Sequence, residues 1–190
     1  MKNFDFIAGS LAIDAPSSPF VLHASQIIKE VFHDTNGYFA YKFISISKDK
    51  PKNIPTFLIV SQEYGILVID IIQEKVLDSI ERDEEYYWKF GSEFEYSRET
   101  VVFNYEEDVK NRLRSKSLLF NKKKKTFNFE ISTVLVFCEN NDYEKYLDPD
   151  LGNTAIRFGD LKDFLEAFRA KRSFGEALSD EVFAQVCSQI

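Results

Sequence analysis

Two apolar runs joined by a short polar turn, PTFLIVSQEYGILVIDIIQEK over residues 55–75, constrain the fold of this chain more than any other stretch. Both runs have the length and the β-branched content of strands, and the turn QEYG puts Gly65 where the backbone must reverse tightly. An antiparallel pair follows. A later run, ISTVLVFCEN over residues 131–140, is apolar almost without a break, as a strand buried on both faces of a sheet requires.

Helical periodicity lies on either side of these strands. In ASQIIKEVFHD (24–34), Ile27, Ile28, Val31 and Phe32 recur at helical spacing behind Ser25, a candidate N-cap. NYEEDVKNRLRSKSLLF (104–120) repeats the pattern through Val109, Leu113 and Leu118, with Asn104 as cap, acids in the first turn and the run Lys122–Lys125 ending it. From Asp160, DLKDFLEAFRAKR puts Leu161, Phe164, Leu165 and Phe168 on one face, and LSDEVFAQVCSQI begins a last helix behind Ser179. YFAYKFISIS (38–47) and AIRF read as further strands, and the acidic, aromatic stretch 76–100 as a loop-rich insertion with short strands. The expected fold is α/β, a central mixed sheet flanked by helices. Residues 1–24 read as an irregular segment, 25–172 as the domain, and 173–190 as a linker and the start of a C-terminal helix.

A chain of 190 residues can bury one substantial core, and 19 phenylalanines against 7 glycines and 5 prolines point to a packed chain. The formal charge of −7 argues against a surface that binds nucleic acid wholly by counterion release and leaves room for local basic patches. Cys138 and Cys187 fall in apolar runs with no CxxC or Cys/His cluster, so they read as buried thiols in a reducing, cytoplasmic compartment without zinc. His23 and His33 stand ten residues apart with no third ligand. No window approaches the apolar length of a membrane span.

The wording of residues 55–72 resembles the nuclease-related domain of the restriction-endonuclease-like, PD-(D/E)XK superfamily. That family follows an early helix carrying a Glu with a strand opening D-F-L-L-V, then a turn ending in Gly, then G-I-L-V-L-E-V-K. Here the matching text is Thr56-Phe57-Leu58-Ile59-Val60, then Glu63-Tyr64-Gly65, then Ile66-Leu67-Val68-Ile69-Asp70-Ile71-Ile72. The order of elements matches over about residues 25–170, and the specific wording is confined to the hairpin. The resemblance implies a restriction-endonuclease-like core. In such a site two carboxylates from adjacent strands hold Mg²⁺ through oxygen, and a lysine near the attacking water helps to activate it. Thr56 replaces the first carboxylate, Asp70 keeps the second on a shorter stem, and Ile72 stands where the lysine belongs. Glu30 matches the helix acid.

The first expectation is therefore a nuclease-like domain that does not cleave and that positions DNA or a partner, with no cofactor. The alternative is an active Mg²⁺-dependent DNA nuclease with Glu30 and Asp70 on the metal and a displaced lysine, Lys75, as the third catalytic residue. The carboxyl end resembles the junction at which such domains pass to the motor of UvrD/Rep-type superfamily 1 helicases. This implies an N-terminal piece of a DNA helicase or a related repair or defence protein, whose phosphate loop GxxxxGK[ST] does not occur in these 190 residues; a stand-alone protein of this length is the competing reading.

Candidate DNA contacts are Lys110, Arg112, Arg114 and Lys116 on the helix, with Lys122, Lys123, Lys124 and Lys125 beyond it, the concentrated basic stretch of an acidic chain. A third reading is a protein-binding scaffold that docks a partner through the acidic, aromatic segment 81–96, with Trp88 at its centre.

Overall fold

The computed structural model describes residues 2–8, 18–43, 53–140, 142–172 and 177–190. Its centre is a six-stranded mixed sheet. Strand β1 (Phe4–Ala8) lies at one edge and runs parallel to β2 (Gly37–Tyr41). Next come the antiparallel neighbours β3 (Phe57–Ser61) and β4 (Gly65–Ile72), the hairpin expected from the sequence, in which Val60 faces Ile66. Parallel to β4 runs β10 (Ile131–Phe137), and β11 (Ala155–Arg157) closes the other edge. Gly65 has φ +82°, and a Cβ there would stand 2.5 Å from the Glu130 carbonyl oxygen, so the turn requires glycine.

Alternation along the strands divides the core into two layers. Phe57, Ile59, Leu67, Ile69, Ile71 and Val134 face helices α1 (Pro19–Phe32) and α3 (Leu161–Arg172). Leu58, Val60, Ile66, Val68, Ile72 and Leu135 face helices α2 (Arg98–Arg114) and α4 (Asp180–Gln189). Helices thus cover both faces of the sheet, the layering that the apolar run 131–140 called for.

Several expectations are corrected. Segment 1–24 is not irregular throughout: it supplies β1, and α1 starts at Pro19 behind Ser18, with proline at the first position where its missing N–H is not needed. Ser25 is inside that helix, its Oγ donating to the Leu22 carbonyl at 2.7 Å. Residues 44–47 of the expected strand 38–47 lie outside the described residues. Stretch 76–100 holds the expected short strands but is not loop-rich: β5 (Val76–Arg82), β6 (Glu85–Phe90) and β7 (Glu93–Tyr96) form an antiparallel sheet tied to the core by Trp88, and its last three residues open α2.

Helix α2 begins six residues before Asn104, on Ser97, whose Oγ accepts from the Thr100 N–H at 3.1 Å. It ends before the lysine run. Lys122–Lys125 form the turn of a small hairpin, β8 (Phe120–Asn121) and β9 (Thr126–Phe127), because Asn121 Oδ1 accepts from the N–H groups of Lys123 and Lys124 at 3.1 and 3.0 Å.

The segment read as a linker and departing helix returns to the sheet. Gln62 Nε2 donates to the Leu178 carbonyl at 2.9 Å and to Asp180 at 2.8 Å, and Val186 of α4 is fully buried. Ser179 caps α4 as expected. Among the described residues no helix is long and apolar enough to cross a membrane.

Candidate functional site

Asp70 sits near the end of β4, 1% exposed, on the face shared with Val68 and Ile72. Thr56 lies across the hairpin, just before β3. Its N–H and its Oγ1 both donate to Asp70 Oδ1 at 3.0 Å, and the same Oγ1 accepts from the Ile71 N–H at 3.0 Å. The hydroxyl standing where a first carboxylate would be therefore clamps the second. Asp70 Oδ2 receives Arg98 Nε at 2.5 Å, and Arg98 Nη2 continues to the Ile54 carbonyl at 3.2 Å.

That carbonyl also accepts from Lys42 Nζ at 2.6 Å. Lys42 follows β2 with φ +47°, its backbone N–H bonded to the Thr56 carbonyl, and this turns its side chain toward Asp70 and Arg98. Burial, only partly offset by Asp70 and reinforced by Arg98, pulls the Lys42 ammonium down to about 8. Burial alone would raise Asp70. Arg98, Lys42 and the hydrogen bonds from Arg98 and Thr56 outweigh it and hold the carboxyl below its ordinary value.

A cavity of about 450 Å³ opens over this cluster, with Lys42, Thr56, Asp70 and Arg98 on its polar wall, Ile71, Ile72 and Phe90 on its apolar wall, and Glu74, Glu93 and Glu95 also lining it. Both Asp70 oxygens are engaged and its charge is matched by a guanidinium inside the protein. A divalent ion at Asp70 would have to displace Arg98. Among the described residues no group of three or more His, Cys, Asp or Glu side chains is arranged to hold a metal.

The structure brings Thr56 and Asp70 together but not Glu30 or Lys75. Glu30 belongs to α1, which packs on the opposite face of the sheet from Asp70, and it is exposed and paired with Lys162 of α3 at 2.6 Å. Lys75 is exposed in the link to β5, past the residues Gln73 and Glu74 that reach the cavity. Ile72 is core. The cationic groups near Asp70 come instead from β2 and α2, which sequence reasoning missed. With this helix expected to start at Asn104, the sequence did not mark Arg98; only the observed start of α2 puts a cation at the first position, where it opposes the dipole and favours an acid partner.

No family model, curated protein or solved structure matches the chain.

The basic residues divide into groups. Lys110 pairs with Glu106 and Glu107 at 2.7 and 2.9 Å, and Arg114 reaches Glu107 at 3.4 Å. Arg112 turns to α4, donating to the Gln189 carbonyl at 3.3 Å, while Lys116 is half-buried in the turn after α2. Lys122–Lys125 are exposed on the hairpin. In the aromatic segment, Trp88 is fully buried and its Nε1 donates to the Tyr146 carbonyl at 3.2 Å, so it is a core residue and not a docking one. Burial raises the Cys138 thiol to about 12, which leaves it without thiolate at neutral pH.

Proposed function

We propose that this chain is a restriction-endonuclease-like domain whose metal site has been closed by an internal ion pair, and that it holds DNA without cutting it. The order α1, β2, β3, β4, α2, β10, with Thr56 and Asp70 at neighbouring strand ends, supports the likeness to the nuclease-related domain. The carrying observation is Arg98 on Asp70: a fixed guanidinium supplies the positive charge that a catalytic ion would bring, and it cannot activate water. Positioning of DNA within a helicase or a related repair or defence protein is the role that fits a closed site with an exposed basic hairpin elsewhere.

A cleavage assay with Mg²⁺ and Mn²⁺ on single- and double-stranded DNA, run beside binding at two salt concentrations, tests this. The expected result is no cleavage, with binding that weakens as salt rises. Metal-dependent cleavage abolished by Asp70→Ala would overturn the reading. It would favour a nuclease with a relocated amine, for which the specific support is Lys42, turned toward Asp70 from β2 and partly neutral near pH 8.

A further inference from the structure

A second concavity lies between the C-terminal half of α2, the β8–β9 hairpin and the start of β10, with a volume of about 720 Å³. Phe120, Phe127 and Phe129 stand along it in succession, with ring centroids 5.0 and 5.7 Å apart at tilted angles. All three are half-buried and line the groove, and Phe127 and Phe129 also pack against the core. Lys110 and Arg114 line it from α2, and Lys122 and Lys125 from the hairpin. Lys110 and Arg114 are paired with Glu106 and Glu107, and Glu130 adds a carboxylate, so the cationic rim is the four exposed lysines Lys122–Lys125, in a chain whose net charge is −7. The hairpin turn is held by Asn121 and by Lys125 at φ +54°, so the lysines project from a fixed loop.

We infer that this groove is a single-stranded nucleic-acid site, in which unpaired bases stack on the phenylalanine row while Lys122–Lys125 take the phosphates. The inference rests on the DNA-holding reading and adds which form of nucleic acid is held. The physical ground is the combination. Aromatic faces beside a cationic rim bind any unpaired base, since every base has a π-face, and phosphates follow the rim. A duplex hides its base faces in its own stack, so it touches only the lysines. The cavity over Asp70 is a poorer candidate, because Glu74, Glu93 and Glu95 would repel a phosphate backbone.

Fluorescence anisotropy with a labelled oligothymidylate and a duplex of equal length tests the inference on the full chain. Phe127→Leu keeps the buried contacts and removes the π-face, and a second variant carries Lys122, Lys123, Lys124 and Lys125 all changed to Gln. Circular dichroism verifies that both fold. The expected result is tighter binding of the single strand, weakened about tenfold by Phe127→Leu with the duplex unaffected. The lysine variant loses affinity for both and shows a shallower salt dependence. Equal binding of both forms with no effect of Phe127→Leu overturns the single-strand site and leaves the DNA-holding reading intact. Binding of neither overturns both.

Discussion

Arg98 Nε and Asp70 Oδ2 lie 2.5 Å apart, joining the first residue of a helix to the end of a strand 28 positions earlier. Asp70 is 1% exposed and Arg98 is mostly covered, so the pair is a buried one. Replacing one member of such a pair strands the other in a poorly solvating interior. Arg98→Met should lower stability by about 3–5 kcal/mol, as loss of one partner from a buried pair does. Asp70→Asn added to Arg98→Met should recover part of that, because no uncompensated charge remains. Urea unfolding of both single variants and the double, followed by the sole tryptophan, Trp88, measures the coupling. Additive effects would contradict the pairing.

The same pair predicts an acid limb. Asp70 is held below its unfolded value of 3.8, so the folded chain gives up this proton more readily than the unfolded one. Its contribution is fully present above that value and is lost as pH falls through the lower folded value. Wild type should therefore lose stability between about pH 5 and pH 2 more steeply than Asp70→Asn. Parallel curves for the two proteins would show that another group drives the acid transition.

Lys42 has the opposite sign. Its ammonium is pulled down to about 8 from 10.5, so the unfolded chain binds this proton more tightly, and the lysine is a burden below pH 8 that is relieved as pH rises toward 10.5. Lys42→Met should stabilise the protein at neutral pH by on the order of 1–3 kcal/mol, less the lost bond to the Ile54 carbonyl. The gain should shrink above pH 8. A destabilised variant at every pH would mean that the bond to Ile54 outweighs the desolvation.

Helix α4 carries a prediction about the boundary of the domain. Val186 is fully buried against the α2 face, with Val182, Phe183 and Cys187 beside it, so removing residues 177–190 would expose one side of that core. Val186→Asp should cost about 3 kcal/mol or more, since the carboxylate gains no partner there. Limited proteolysis and thermal unfolding of this variant and of a chain ending at residue 176 measure the effect. Unchanged stability would return α4 to the role of a departing linker.

The hairpin 57–72, the buried run 131–137 and the last two helices were legible because each is set by local pattern: alternation or a continuous apolar run for strands, helical spacing and a capping serine for α4. The register, with Ser61 opposite Gly65 across the three-residue turn 62–64, came only with the structure. Boundaries at Pro19 and Arg98 were misread because Ser25 and Asn104 are equally good caps in sequence, and only burial of Val21 and of Val101 with Val102 decides between them.

Sequence by itself determined the layering and the chemical types available at Thr56, Asp70 and Ile72, because hydrophobic periodicity and residue identity are local properties. Tertiary structure decided what those residues do. Strand alternation sent Asp70 to the α2 face and α1 packed on the other, which separated Glu30 from it, and the start of α2 delivered Arg98 in its place. Packing likewise moved Trp88 into the core, turned Arg112 toward α4 and lifted Lys122–Lys125 onto a hairpin. Charges find partners by distance in space, and a separation of 28 positions along the chain carries no record of a 2.5 Å contact.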